Sequence, residues 1–372
     1  MAEKKSKAAP ARSGQNVLVL QGGGALGAYQ AGVYQALHEA GVEIDWVIGT
    51  SIGAITAALI AGNEPEHRLE RLAEFWDRVE YALPVNALAS TPSGVQASRA
   101  MTMLGGLPAF FWPNPMALMG QGWPLGSEHA GYYSTAPLRK TLSNLVDFDR
   151  INRQHTRISV GAANVCTSQM HYFDSREQVF CVDHVMASGA LPPAFPPVRV
   201  DGELYWDGGI LSNTPLEAIF DDNPRRDGLI FSVHVWNPDG PEPVTMREVL
   251  NRQKDVQFAS RSRSQVQRQR QLHKLRHVIA NLAQRLPEAE QLSNEVAELA
   301  SYGCTTQMHV VALLAPSLPD EDHTKDIDFS GASIRARWEA GYAQTLTALE
   351  QAPWTEPADP LEGVILHRFA PS

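Results

Sequence analysis

Three short glycine-rich blocks hold the residues of this chain best suited to chemistry. The first is Gly22-Gly23-Gly24-Ala25-Leu26-Gly27. Glycines let a backbone turn tightly and bring bare N–H groups against a ligand. A helix starting directly behind them adds positive potential. Such a loop suits a phosphate, and it equally suits the oxygen of a developing tetrahedral intermediate. The second block, Gly49-Thr50-Ser51-Ile52-Gly53, has the G-x-S-x-G spacing of a nucleophile elbow. That turn is sharp, and larger side chains at Gly49 and Gly53 would collide with the strand and helix that it joins. The third block, Asp207-Gly208-Gly209, follows the apolar strand end Leu204-Tyr205-Trp206 and precedes a helix start at Asn213-Thr214-Pro215. Taken alone, Asp207 reads as an ordinary turn aspartate.

Two other readings compete at the level of residues. Gly22, Gly24 and Gly27 match the G-x-G-x-x-G dinucleotide fingerprint, the mark of an oxidoreductase. That fingerprint also wants an acidic residue at the far end of the second strand, to meet a ribose. Here Asp45 stands at the start of that strand, and the far end holds Gly49 to Gly53. A Ser–Asp–His hydrolase would need a histidine in a loop after a late strand. His234 and His309 fall in strand patterns, His273 and His277 in a helix pattern, and His323 in an acidic loop. Each reads as a structural or surface histidine.

The elements that must position these blocks follow from hydrophobic periodicity. Asn16–Leu20 is a short apolar run suited to a buried strand, and 25–40 reads as a helix stopped by Gly41. A second strand is expected at 45–48, then helices at 52–61 and 65–79. Strand, turn, helix repeated twice opens an α/β domain with parallel strands. Parallel strands would put the glycine loop and the serine elbow at one edge of the sheet. Further strands are expected at 157–165, 170–174, 229–236 and 308–314.

Two stretches stand apart. From Ala100 to Ser127 there is no charged residue, while methionines, Phe110, Phe111, Trp112 and Trp123 crowd in among prolines that forbid one long helix. This insertion, at about 84–132, suits either core packing or a lid and acyl-chain wall, with Phe110, Phe111 and Trp112 as candidate substrate contacts. The second stretch, 245–285, is rich in Lys and Arg. Leu272, Leu275, Ile279, Leu282 and Leu286 repeat at helical spacing, which predicts an amphipathic helix with a basic face.

Taken jointly, the blocks resemble the patatin-like phospholipase family. The segment Ala187-Ser188-Gly189-Ala190-Leu191-Pro192-Pro193-Ala194-Phe195-Pro196-Pro197 resembles a further stretch common in that family, and the four blocks stand in the family's order over Val17 to Pro215. The resemblance implies a three-layer α/β/α fold with a mostly parallel central sheet. It implies a Ser–Asp dyad, with Ser51 as nucleophile and Asp207 as proton acceptor, and an oxyanion hole at Gly22, Gly23 and Gly24. It implies lipid or phospholipid acyl esters as substrates and requires no cofactor or metal. Leu26 takes a position where many members carry Arg or Lys, and Gln21 takes that of an Asp. The segments Asp328–Ser330 and Ser333–Gly341 resemble an extra C-terminal region of some bacterial members. A carboxylate near pKa 3.9 is a poor base for an alcohol, so the site must be dry enough to raise that value.

The remaining expectations come from composition. The chain has 372 residues, is 44% hydrophobic and carries a net charge of −10, which argues against general nucleic-acid binding. Its three cysteines build no disulfide framework or zinc spacing, which favours a reducing, cytoplasmic setting. Residues 1–14 read as a disordered tail without a secretion signal. With 15–220 as the catalytic domain and 221–372 completing it, no span long enough to cross a membrane is expected, and contact with a membrane or lipid particle would be peripheral. A non-catalytic lipid-surface or granule-associated protein of the same fold is the alternative function.

Overall fold

Along the first strand, β1 (Gln15–Leu20), Val17 and Val19 join one buried cluster and Leu18 and Leu20 another. Side chains of a strand alternate between its faces, so both faces of this one are covered. The computed structural model describes residues 14–80, 102–319 and 321–369, and the side chains of 260–262 are likewise outside the description. The expected tail up to residue 13 and residues 84–101 of the expected insertion lie outside the described residues.

After β1 come a 3-10 turn (Gly24–Gly27), α1 (Ala28–Glu39), β2 (Trp46–Gly49), α2 (Ile52–Ala61) and α3 (Arg68–Val79). The two-stranded ribbon β3 (Trp112–Pro113) and β4 (Tyr133–Ser134) stands apart from the main sheet. Then follow α4 (Ala136–Leu145), β5 (Arg157–Asn164), β6 (Met170–Asp174), α5 (Val182–Ser188), β7 (Val198–Val200) and β8 (Glu203–Asp207). The last third supplies β9 (Gly228–His234), α6 (Met246–Arg285), β10 (Met308–Leu314), α7 (Gly331–Gln351) and β11 (Val364–Phe369).

The main sheet has nine strands in the order β11-β10-β9-β1-β2-β5-β8-β7, with β6 also paired to β5. Pairings from β11 through to β5 are parallel, whereas β6, β7 and β8 pair antiparallel. The sheet is therefore mostly parallel and covered on both faces. One face packs under α1, α2, α3 and α7; the other packs Val17, Val19 and Ile230 against Phe220 and Val266 of α6. This is the expected α/β/α layering.

Local differences from the sequence reading have local causes. The expected helix at 25–40 begins with a 3-10 turn, because Gly24 sits at φ +55° and directs the chain away from an α start. The strand expected to reach Trp236 ends at His234, because the amides of Val235 and Trp236 turn aside to the buried side-chain oxygen of Gln21. β7, β11 and most of β8 carry no clean alternation of their own.

Helix α6 starts at a capping box: Thr245 accepts from the Glu248 amide, and the Glu248 carboxylate accepts from the Thr245 amide. Its leucine stripe is not its buried face. Leu272, Leu275 and Leu282 are exposed, while Asp255, Ala259, Val266, His273 and His277 are buried. Polar partners in the last third explain this. His277, for one, lies between the carbonyls of Pro360 and Thr306, each 2.9 Å away.

Candidate active site

The elbow forms because its glycines have no room for a side chain. A Cβ on Gly49 would stand 2.2 Å from the Gly53 carbonyl oxygen, and one on Gly53 would stand 2.3 Å from that of Leu20. Between them Ser51 is held at φ 57°, ψ −123°, outside the regions favoured by L residues. Its amide donates to Ser188 Oγ at 3.1 Å, and that hydroxyl donates on to the Gly161 carbonyl at 2.7 Å. Ser188, at the end of α5, therefore ties the elbow to β5. The strained turn presents the Ser51 hydroxyl to a cavity rather than to the core.

Asp207 reaches the same place from the opposite direction. β2 ends at Gly49, level with Val160 of β5. β5 continues, and antiparallel β8 lays Asp207 level with Ala162. The carboxylate is 2% exposed and accepts from the Gly209 amide at 2.7 Å. Ser51 and Asp207 line the same cavity, and the nearby Ser51 side chain favours the ionised carboxylate. Burial raises its pKa from 3.8 to about 6, against the lowering influence of the Ser51 side chain and of the Gly209 hydrogen bond. The sequence argument required such a rise, and desolvation supplies it.

The glycine loop lies across from this pair. Gly22 is held on both sides: its amide donates to the Asn213 carbonyl at 3.2 Å, and its own carbonyl accepts from Trp236 Nε1 at 2.7 Å and Asn213 Nδ2 at 3.1 Å. Its N–H is thus spent, which corrects its place among the expected oxyanion donors. The amides of Gly23 and Gly24 have no protein acceptor among the described residues, nor has that of Ile52, directly after the serine. Ile52 was not singled out from the sequence as a donor, although the residue after an elbow nucleophile commonly serves so.

Ser51, Asp207, Gly23, Gly24, Ile52, Phe110 and Phe111 all line one cavity of about 410 Å³. The two phenylalanines are buried, and the Phe195 ring packs against both at a tilt. Trp112 is not part of this wall. Its residue is 52% exposed on the outer ribbon, so its expected substrate contact is not made by this arrangement. Side chains alternate along an extended segment, and with Phe111 turned inward Trp112 turns outward. A larger groove of about 670 Å³ holds the Arg139–Asp183 and Arg199–Glu128 ion pairs but neither member of the Ser–Asp pair.

Gln21, Asn213, Trp236 and Ser188 were not marked as site residues by spacing, because their work is done through contacts far along the chain. Gln21 is wholly buried and donates to Thr214 Oγ1 at 2.7 Å. Of the histidines, His323 also departs from the sequence reading: it lines the cavity. The dinucleotide reading loses its acid, since Asp45 accepts from the Asn16 amide at 2.7 Å, at the sheet edge remote from the glycine loop. Among the described residues no group of His, Cys, Asp and Glu could hold a metal ion, and no helix is long and apolar enough to cross a membrane.

Comparison with known proteins gives the family of the chain. The chain is similar to Lysophospholipase NTE1 of Saccharomyces cerevisiae, 27% identical over 242 residues, covering 64% of this chain and 12% of that protein. It is similar to Lysophospholipase nte1 of Aspergillus terreus, 27% identical over 260 residues, covering 63% of this chain and 14% of the relative. The chain thus spans about an eighth of the length of the curated relatives it matches. Among solved structures, VipD from Legionella pneumophila is 16% identical with a TM-score of 0.38, over 91% of this chain and 67% of that one. Residues 256–361 match a family described as patatin phospholipase. Residues 18–220, more than half of the chain, match the one described as patatin-like phospholipase, and the chain belongs to that family.

Proposed function

We propose that the chain is a serine-dependent lipid acyl hydrolase in which Ser51 is the nucleophile and Asp207 the proton acceptor. One observation carries this reading: Ser51 and the buried Asp207 carboxylate of raised pKa line one cavity, together with the amide-bearing Gly23, Gly24 and Ile52, whose N–H groups have no acceptor among the described residues. The lysophospholipase names of the relatives support a lipid ester as the substrate.

Asp207 takes the Ser51 proton as Oγ attacks the ester carbonyl carbon, and the carbonyl π pair moves onto oxygen. The amides of Gly23, Gly24 and Ile52 are the donors available to that oxyanion. Collapse breaks the ester C–O bond, and the leaving alkoxide takes the proton from Asp207. Water then gives a proton to Asp207 and attacks the acyl carbon. The second collapse releases the fatty acid and returns the proton to Ser51. Phe110, Phe111 and Phe195 form the apolar wall for the acyl chain.

A fluorophosphonate ester tests the reading, because it reacts with an activated serine whatever the natural substrate. The expected result is one adduct per chain on Ser51, lost in Ser51→Ala and slowed at least a hundredfold in Asp207→Asn. A wild-type chain that stays unlabelled would be a non-catalytic lipid-surface protein instead. The exposed apolar side chains of the insertion, among them Leu104, Leu118 and Trp123, suit contact with a lipid surface, and Met103, next to Leu104, lines the cavity.

A further inference from the structure

The leucine stripe of α6 faces away from the chain that carries it. Leu272, Leu275 and Leu282 are exposed, the last two at 60%. After α6 the chain turns back through two short helices, Glu288–Gln291 and Asn294–Ala300. Gln291 holds the turn, its Nε2 donating to the Leu286 carbonyl at 2.7 Å. The return leg ends directly on α6. The Cys304 amide donates to the Arg276 carbonyl at 3.2 Å, and a Cβ on Gly303 would stand 2.9 Å from the Ala280 nitrogen. This leg exposes Leu292, Leu299 and Tyr302 in its turn. A lone exposed leucine is ordinary, but six large apolar side chains on one helical hairpin mark a surface that another molecule covers.

Charge on the hairpin is divided between its legs. Residues 256–287 hold seven Lys or Arg and no Asp or Glu, whereas residues 288–300 hold four Glu and no Lys or Arg. Arg268, Lys274 and Arg285 are exposed on the first leg, and Glu288, Glu290, Glu295 and Glu298 on the second. None of them has an ion pair among the described residues, within a leg or across the hairpin; Arg263 and Arg270 are paired elsewhere, with Asp239 and Glu362. That division selects the occupant. An anionic lipid surface would attract the first leg and repel the second, and a wholly acidic or wholly basic partner meets the same conflict. A second copy related by a two-fold axis does not. Residue i of one copy meets j of the other and j meets i, so acid faces base at both contacts.

We propose that the α6 hairpin is the contact between two copies of this chain. The basic leg of each lies on the acidic leg of the other, and the exposed leucines close the space between them. None of these residues lines the Ser51 cavity, to which α6 gives Lys254 and Phe258. The inference is therefore independent of the hydrolase reading.

Sedimentation velocity of the full chain tests this. The wild type is expected at twice the chain mass, with dissociation favoured by dilution and by salt. Leu275→Asp combined with Leu282→Asp should leave single chains. Arg268→Glu, Lys274→Glu and Arg285→Glu together reverse the first leg; Glu290→Lys, Glu295→Lys and Glu298→Lys together reverse the second. Each triple variant alone should self-associate about tenfold more weakly or worse, because like charges then face one another. An equimolar mixture of the two should restore a dimer holding one of each, since both contacts are complementary again. A wild type that stays at the mass of one chain up to about 100 μM would overturn the interface. A triple variant that dimerises as the wild type does would overturn it too, as would a mixture that stays monomeric while both variants keep the wild-type circular dichroism spectrum. Co-sedimentation of a monomeric wild type with phosphatidylglycerol vesicles would assign the hairpin to a membrane instead.

Discussion

A carboxylate shut away from water is hard to ionise, and Asp207 shows both consequences. Its pKa near 6 makes it a better base than an exposed aspartate. Its ionised form is also a burden on the fold. The folded pKa lies above the unfolded 3.8, so the stabilising contribution is complete below about pH 4 and is lost as pH rises through about 6. At neutral pH that loss is about 3 kcal/mol at most, at roughly 1.4 kcal/mol per unit. Asp207→Asn is therefore expected to abolish ester hydrolysis and yet raise the melting temperature at pH 7.5, with the gap closing toward pH 4. For the wild type, kcat/KM should fall about tenfold per unit below about pH 6. A pH-flat kcat/KM between 5 and 8 would remove Asp207 from the role of base. Gly22 carries a different lesson of the same scale. Its place in a glycine run marked it as a donor, but its amide is engaged and it serves to position Gly23 and Gly24.

At the scale of elements, the crossing of α1 and α7 decides a sign that propensity alone gets wrong. Gly32 and Gly341 let the two backbones touch. A Cβ on Gly32 would stand 1.9 Å from the Trp338 carbonyl oxygen, and one on Gly341 would stand 2.1 Å from that of Tyr29. Alanine normally favours a helix over glycine by about 1 kcal/mol. Here the clash is with backbone, which cannot step aside, so Gly32→Ala is expected to destabilise by about 2–3 kcal/mol in urea unfolding. An unchanged or raised midpoint would contradict the close crossing. The insertion shows the opposite pattern, with Leu118 88% and Leu104 76% exposed in a stretch without charge. Leu104→Asp combined with Leu118→Asp should weaken binding to phosphatidylcholine vesicles at least fivefold while leaving fluorophosphonate labelling in solution intact. Equal vesicle binding by both proteins would exclude this surface as the lipid contact.

Across the whole molecule, the catalytic blocks depend on the last third of the chain. β9 pairs with β1 along its full length, from Gln15↔Gly228 to Leu20↔Val233. Just beyond it, Val235 and Trp236 fix Gln21 and Gly22. Without them β1 would become a sheet edge, and the glycine loop would lose its anchor. A chain ending at residue 220 is thus expected to give no folded, labelled product, although it contains every block that marks the family. Recovery of a soluble fragment that labels at the wild-type rate would refute that dependence. α6 and the segment at 321–329 add a second contribution from the same third: they close the polar side of the cavity.

Much of this was legible in the residues because it is local. Gly49, Ser51 and Gly53 specify an elbow by the size of their side chains, and the strand–turn–helix rhythm around them specifies parallel strands. Buried runs such as Met308–Leu314 coincide with the strands found, and the helix expected over 245–285 is present as Met246–Arg285. The tertiary structure alone decided which partners arrive from elsewhere. Asp207 rides in on an antiparallel strand, His323 and Lys254 enter from beyond residue 250, and the leucines of α6 face out because polar neighbours claim its inner side. A motif records the shape of a turn, which a few adjacent side chains impose. Desolvation and hydrogen-bond pairing depend on residues tens to hundreds of positions away, and no local spacing encodes them.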